Sequence, residues 1–229
     1  MPLHKAWTWV GGFGPELMLC AVTARVGPMR ASWWVVWDGE RLHERTYRRT
    51  GPVVATPERV RVRGILDLEV EPGVAWEVTT GPIWTRKAPA LLRGTALGRP
   101  ADSSIRPWSS TGRHARETEW MWSAGVGELP DGRPVTWNLV DGLHDGIDES
   151  ERAVWVDGMP HHVAPQPFHG LDGVGGLAFT ALAARAHKEN YGLLASDYEQ
   201  PFGSFSGALP HAGELARGWG VMERHRARW

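Results

Sequence analysis

The stretch from Val60 to Glu71, VRVRGILDLEVE, has the most regular alternation of apolar and polar residues in the chain. A period of two is typical of a strand with one buried face and one solvated face. The residues expected on the buried face are Val60, Val62, Leu66, Leu68 and Val70. Gly64 is expected to mark a β-bulge within this strand. A Glu-Pro-Gly turn follows, and residues 75–80 are predicted to return as an antiparallel partner of this strand.

The rest of the chain has the same character. Its 229 residues include 28 Gly and 17 Pro, and no segment has the length and 3.6-residue period of a helix. Further strands are predicted over residues 16–26, 31–38, 119–126, 133–140, 153–156, 177–185, 191–198, 202–209 and 218–225. Residues 81–107 lose the pattern and are predicted to form an irregular connector, with room for a short helix at Ala90–Arg93. We therefore predict an all-β, antiparallel fold, either two lobes (residues 1–104 and 105–229) or one enlarged barrel.

Composition excludes several classes of protein. The 25 Lys+Arg and 26 Asp+Glu leave a net charge of −1, which gives no electrostatic basis for binding nucleic acid. No apolar run is long enough to cross a membrane, and residues 1–14 lack the apolar core of a signal peptide. The single cysteine, Cys20, cannot form an internal disulfide. These features predict a cytoplasmic protein.

Tryptophan is over-represented, with 14 Trp against 3 Tyr and 5 Phe. Tryptophan packs cores and lines apolar ligand sites equally well, so both interpretations stay open. Trp120 and Trp122 share one face of a predicted strand and could form an aromatic wall. The residues predicted to bind a ligand are Trp120, Trp122, Trp137, Trp155, Tyr198 and Asn138.

Residues 137–158, WNLVDGLHDGIDESERAVWVDG, combine two strand ends with a dense run of acids and bases. Asp145 and Glu151 are the candidate acids, because a carboxylic acid kept protonated in an apolar setting can activate an alkene or start a cyclisation. The alternative is that Asp145 caps a turn and Glu151 pairs with a neighbouring base. His114 is a further candidate acid or base, or else a loop histidine on the surface.

Glu223 and His225 lie two residues apart on the last predicted strand, so their side chains point to one face. On a barrel interior they would form an acid/base pair, and elsewhere an ordinary ion pair. His161 and His162 are adjacent in a strand and point to opposite faces, and no metal-binding spacing occurs, so no metal site is predicted. No glycine-rich phosphate loop lies between a strand and a helix, which disfavours a nucleotide cofactor.

Five segments of the C-terminal half carry a resemblance to known proteins. They are EWMWSAGVG at 119–127, GRPVTWNLVDG at 132–142, SERAVWVDG at 150–158, EQPFGSFSG at 199–207 and GWGVMERHRARW at 218–229. Together they resemble an uncharacterised bacterial family that is distantly similar to the hydroxyneurosporene synthase (carotenoid 1,2-hydratase) group and to lipocalin-like fungal Diels–Alderases. The resemblance implies lipocalin-like β lobes and acid chemistry on a hydrophobic substrate. The N-terminal half is shorter than in the fuller pattern.

These observations favour an enzyme without a cofactor, a hydratase, isomerase or cyclase, acting on a hydrophobic small molecule such as a polyketide or terpenoid. The predicted catalytic residues are Asp145, Glu151, His114, Glu223 and His225. The alternatives are a non-catalytic carrier of a lipid, pigment or steroid, and a structural protein whose tryptophans all lie in the core. An exposed tryptophan patch could also form a homodimer interface.

Overall fold

The computed structural model describes residues 4–48, 51–101, 103–113, 115–143, 146, 150–190 and 195–228. These residues form 21 strands and no helix, and every strand pairing between them is antiparallel. The predicted all-β, antiparallel class is confirmed. The described residues include no helix that is long and apolar enough to span a bilayer.

The chain divides into two compact units, Leu3–Arg113 and His114–Trp229 with Met1–Pro2. The N-terminal unit is a 12-stranded sheet with the principal order β4-β3-β2-β1-β12-β10-β7-β6-β5. Its strands are β1 (His4–Phe13), β2 (Met18–Val26), β3 (Met29–Trp37), β4 (Leu42–Tyr47), β5 (Val53–Ala55), β6 (Arg59–Val62), β7 (Leu66–Pro72), β8 (Trp76–Thr80), β9 (Ile83–Lys87), β10 (Ala90–Ala96), β11 (Arg99–Pro100) and β12 (Ser103–Arg113).

The C-terminal unit is a 9-stranded sheet with the principal order β16-β15-β14-β13-β21-β19-β18-β17. Its strands are β13 (Glu117–Glu128), β14 (Pro134–Asp141), β15 (Ala153–Val156), β16 (Met159–His162), β17 (Gly173–Val174), β18 (Gly176–Asn190), β19 (Ala195–Leu209), β20 (Gly213–Glu214) and β21 (Arg217–Arg228). β21 is therefore a central strand of this sheet, between β13 and β19.

The segment from Val60 to Glu71 forms two strands rather than one bulged strand. The backbone N–H of Ile65 bonds the carbonyl of Val62, and Gly64 has a φ of 74°, so β6 and β7 form a tight hairpin. The predicted bulge at Gly64 was wrong. The five residues predicted on the buried face of this stretch all lie in the apolar core of the N-terminal unit.

Residues 81–107 are not an irregular connector, because β9, β10, β11 and the start of β12 lie there. Ala90–Arg93 lies at the start of β10 and pairs with β7 instead of forming a helix turn. Ala90 and Leu92 are buried while Leu91 and Arg93 are exposed, which is the alternation of a strand. Both predictions failed because short strands between Pro and Gly leave little periodicity to detect.

The core of the C-terminal unit lies on one face of its sheet. Its members are Leu129, Val135, Trp137, Leu139, Val154, Val163, Val174, Leu177, Phe179, Phe205, Leu209 and Met222. Trp137 lies edge-on to Phe205, with ring centroids 5.0 Å apart, and its indole N–H donates to the Ser123 hydroxyl. Buried polar side chains lie on the opposite face of the same strands.

Candidate acid/base site

The strand register brings buried polar residues together on the second face of the C-terminal sheet. In the β13–β21 ladder Trp120 pairs with His225 and Trp122 pairs with Glu223. In the β19–β21 ladder Tyr198 pairs with His225. Directly paired residues point to the same face, so these side chains are neighbours.

Glu223 is at the centre of this group, with 4% of its surface exposed. The indole N–H of Trp120 donates to its Oε1 at 2.9 Å, and the Gln200 amide donates to its Oε2 at 2.8 Å. The Tyr198 hydroxyl group and the guanidinium of Arg185 also act on the carboxyl group, and both favour its ionised form. We refer to Glu223, Trp120, Tyr198, Gln200, Arg185 and His225 as the Glu223 cluster.

Two opposing effects set the protonation of Glu223. Burial penalises the carboxylate and is the larger effect, whereas the hydrogen bonds from Trp120 and Gln200, the Tyr198 hydroxyl group and the charge of Arg185 favour it. The net result raises the pKa of Glu223 to about 7. A carboxyl group with this pKa is available as an acid and as a base near neutral pH.

His225 lies between two aromatic rings and next to a cavity. Its ring centroid is 4.3 Å from that of Trp120 and 5.2 Å from that of Tyr198. The hydroxyl of Ser196 lies 2.9 Å from its Nε2. Ser196 also lines a cavity of about 400 Å³ at the ends of β13, β18, β19 and β21, so His225 is one hydrogen bond away from that cavity.

Arg185 is buried, with 4% of its surface exposed. It pairs with Gln200 in the β18–β19 ladder, and its guanidinium carbon lies 5.2 Å from the centre of the Tyr198 ring. A buried cation beside a neutral phenol and a carboxyl group supports the ionised form of the carboxyl group. The positive charge of Arg185 on β18 therefore favours the ionised form of Glu223 on β21.

The predicted site residues fall into three sets. Glu223, His225, Trp120 and Tyr198 meet in the Glu223 cluster. Trp122 and Asn138 form a second buried group, in which the Trp122 indole donates to the Asn138 side-chain oxygen at 2.8 Å. Asn138 in turn donates to the backbone carbonyl of Glu151 at 2.8 Å, so this amide joins β14 to the residues before β15.

The remaining predicted residues are distributed as follows. Glu151 and Trp155 are fully buried, and Trp155 pairs with Thr136 in the β14–β15 ladder. Trp137 belongs to the apolar core on the other face of the sheet. Asp145 and His114 lie outside the described residues. The ligand-binding and catalytic roles assigned to all of these residues from the sequence stay predictions.

Sequence reasoning missed two members of the Glu223 cluster. Gln200 lies two residues after Tyr198 on β19, and this spacing puts both side chains on one face of the strand. Arg185 is the only charged residue of the segment LAFTALAAR, residues 177–185. A single charge in an otherwise mostly apolar strand was the signal that could have identified it as a buried functional residue. Pro201 pairs with Ala184 in the interior strand β19, although a proline cannot donate to a ladder and is usually confined to edge strands or bulges.

The C-terminal half of the chain matches a known protein family. A family model described as "Domain of unknown function (DUF2804)" matches residues 105–229, more than half of the chain. No curated protein matches the chain. These residues contain all five segments that carry the resemblance found in the sequence, and the expectation of an uncharacterised family is confirmed.

Solved structures resemble the whole chain at low sequence identity. CghA is similar with a TM-score of 0.50 and 8% identity, covering 99% of this chain and 88% of that chain. Kievitone hydratase from Nectria haematococca gives a TM-score of 0.47 and 12% identity, covering 96% of this chain and 88% of that chain. The likeness to CghA supports the fold alone, and the predicted lipocalin-like architecture is confirmed at that level.

Proposed function

The chain belongs to the DUF2804 family, and from the Glu223 cluster we propose that it is an acid/base enzyme that needs no cofactor. The observation that carries the proposal is a buried carboxyl group held by two N–H donors beside an imidazole and a phenol. Ionisable groups with strongly shifted pKa values are concentrated at functional sites. The reaction class is hydration, isomerisation or cyclisation of a hydrophobic small molecule such as a polyketide or terpenoid.

The proposed chemistry is redox-neutral. The protonated Glu223 donates its proton to an alkene carbon or a carbonyl oxygen, and the resulting carboxylate is stabilised by Trp120 and Gln200. In a hydration, water adds to the adjacent carbon and its surplus proton returns to the carboxylate. In an isomerisation, the carboxylate removes a proton from a neighbouring carbon instead. Each cycle restores the acid, so no electron carrier is consumed.

His225 is proposed as a positioning residue. Its ring contacts Trp120, which donates a hydrogen bond to the Glu223 carboxyl group, and Tyr198, whose hydroxyl group favours the ionised carboxyl; Ser196 connects the imidazole to the cavity at the strand ends. The imidazole thereby packs against two side chains that act on the acid. The preference for a hydrophobic substrate rests on the tryptophans Trp120 and Trp122, which lie on the same face as Glu223.

The test combines substrate discovery with matched variants. Polyketide and terpenoid alkenes are incubated with the protein in deuterated water, and mass spectrometry follows the gain of water or of carbon-bound deuterium. We expect Glu223→Gln to abolish turnover, because an amide cannot donate a proton to carbon. The control is Glu199→Gln on the neighbouring strand, which removes an exposed carboxylate paired with Arg224.

The same variants separate an enzyme from a carrier. A catalytic Glu223 predicts that Glu223→Gln still binds the compound that the wild-type protein converts. Full turnover by a folded Glu223→Gln protein contradicts the proposal. A compound that is bound tightly and recovered unchanged and undeuterated from the wild-type protein supports the carrier alternative.

A further inference from the structure

The N-terminal unit contains a second cavity, of about 430 Å³, at one end of its sheet. This volume lies within the usual range for small-molecule sites, roughly 300–1,000 Å³. The cavity is lined by residues from β1, β2, β3, β9 and β12, by the start of β5 and by Gly51 just before it. None of these residues belongs to the Glu223 cluster.

The strand register arranges the cavity walls in successive rows. The outermost row runs Arg30–Arg25–Ala6–Thr111–Trp84 across five neighbouring strands. Two residues further along the strands, the next row is Ser32–Thr23–Thr8. The third row, Trp34–Ala21–Val10, belongs to the apolar core. Polarity thus falls from two cations, through three hydroxyl groups, to apolar side chains.

Ser32 is the residue that indicates a bound ligand. It has 4% of its surface exposed and lines the cavity, and its hydroxyl group has no hydrogen-bond partner among the described residues. Burying a hydroxyl group without a partner is unfavourable, so such groups are rare in folded proteins. An acceptor in the cavity would satisfy it.

Arg25 and Arg30 supply positive charge at the same place. They face each other across the β2–β3 ladder, and neither forms an ion pair with a carboxylate in the part of the chain that the structure describes. The Nε of Arg25 donates to the Gly27 carbonyl, which leaves the terminal nitrogens for another acceptor. The described lining of the cavity contains no acidic residue. Two guanidinium groups without a counter-ion attract an anion.

We propose that this cavity binds a small molecule with an anionic oxygen headgroup, a carboxylate or a phosphate monoester, attached to an apolar, flat body. The headgroup accepts hydrogen bonds from Ser32 and from the two arginines, whose long side chains reach over the hydroxyl row. The body packs against Val53 and the indole of Trp84, which both line the cavity. The site is independent of the function proposed for Glu223.

The experiment is isothermal titration calorimetry of the full-length protein with three probes that share a naphthalene ring system. Naphthoate and naphthyl phosphate carry the two headgroups, and naphthalenemethanol carries none. We expect one or both anions to bind with a stoichiometry of one, and the tighter of them identifies the headgroup. Naphthalenemethanol should bind at least about tenfold more weakly, because it lacks the charge-assisted hydrogen bonds.

Three variants locate the binding. Arg25→Gln combined with Arg30→Gln should weaken anion binding about tenfold or more, and the conservative Ser32→Ala should weaken it several-fold. The control, Arg93→Gln, removes an exposed arginine of β10 that lies outside the cavity lining and should change nothing. Glu223→Gln should also leave anion binding unchanged, so failure of this proposal is distinguishable from failure of the proposed enzyme activity.

Some results would overturn the inference. These are the absence of binding by both anions, equal binding of naphthalenemethanol, or anion binding that Ser32→Ala and the arginine variants leave intact. The Ser32→Ala result keeps the test decisive if the double arginine variant fails to fold.

Discussion

The burial of Glu223 makes the stability of the protein depend on pH in a defined direction. The pKa of this carboxyl group is raised from its ordinary value of 4.5 to about 7, mainly by burial. Between these two pH values the folded chain binds more protons than the unfolded chain, so the free energy of unfolding falls as the pH rises. Above pH 7 the ionised carboxylate costs the fold about 3 kcal/mol, since one pKa unit corresponds to about 1.4 kcal/mol.

The first prediction follows from this linkage. Glu223→Gln stays neutral at every pH, and Gln200 can rotate its own amide to accept a hydrogen bond from the new side chain. Between pH 4.5 and pH 8 we expect the free energy of unfolding of the variant, relative to wild type, to increase by about 3 kcal/mol. Urea unfolding at several pH values measures this difference.

The control for that measurement is Glu199→Gln, since the Glu199 side chain is 38% exposed and its ion pair with Arg224 lies at the surface. Exposed ion pairs contribute about 0–1 kcal/mol. The free energy of unfolding of Glu199→Gln should therefore change with pH nearly as that of the wild type does. A pH-independent difference between Glu223→Gln and wild type would show that the carboxyl group titrates normally in the folded protein.

At the residue level the sequence identified part of the Glu223 cluster. The two-residue spacing of Glu223 and His225 was enough to put them on one face, and the register confirms that arrangement. The positions of Gln200 and Arg185 relative to Glu223 could not be derived, because they depend on the order of β18, β19 and β21 in the sheet. A strand order in which the last strand inserts between β13 and β19 is a non-local property that no local pattern encodes.

At the level of elements, close packing between neighbouring strands depends on glycine. Gly220 on β21 pairs with Gly125 on β13 and Gly203 on β19. A methyl group added at Gly220 would overlap the backbone carbonyl oxygen of Ala124 and lie 2.7 Å from the Gly125 Cα atom. The backbone of a central ladder cannot shift locally to relieve such an overlap.

The second prediction is that Gly220→Ala destabilises the protein by about 1–3 kcal/mol or more, as overpacking does in other cores. Gly14→Ala is the comparison, because a methyl group there meets only the Leu17 carbonyl oxygen at an ordinary 3.5 Å. Thermal unfolding followed by circular dichroism measures the stability of both variants. A Gly220→Ala protein as stable as Gly14→Ala would show that β13 and β21 can separate without cost.

Element prediction from the sequence succeeded where strands were long and alternating and failed where they were short. The β6–β7 hairpin and β9–β11 were misinterpreted because their turns contain only two or three residues and their strands at most seven. Phe202–Leu209 was predicted as a separate strand, whereas β19 continues from Ala195 to Leu209. Pro201 suggested an interruption there, and the β19–β21 pairing does skip Gln200 and Pro201 while the β18–β19 ladder continues through them.

At the scale of the whole molecule, the two candidate sites belong to different units of the chain. The described contacts of Glu223 come from β13, β18, β19 and β21, and the cavity beside Ser32 is lined by the N-terminal unit. Two lobes were predicted with a boundary at residues 104/105, and the structure divides between Arg113 and His114. The position of that division depends on β12, which pairs with β1, β10 and β9 of the N-terminal sheet.

The third prediction concerns the coupling between these sites. At pH 8 Ser32→Ala should increase the free energy of unfolding by about 1 kcal/mol, because it removes a buried hydroxyl group that has no partner among the described residues. Glu223→Gln should also be stabilising at this pH, because it removes the penalty of a buried charge. Residues without shared contacts usually have additive effects, within about 0.5 kcal/mol.

The double variant Ser32→Ala with Glu223→Gln should therefore gain the sum of the two single effects. Urea unfolding of the wild type, both single variants and the double variant measures the interaction energy directly. Additivity means that each site can evolve, or be engineered, without changing the other. An interaction energy clearly above about 0.5 kcal/mol would instead mean that the units transmit the state of one site to the other. In that case, anion binding at Ser32 should also shift the pKa of Glu223, because thermodynamic coupling is reciprocal.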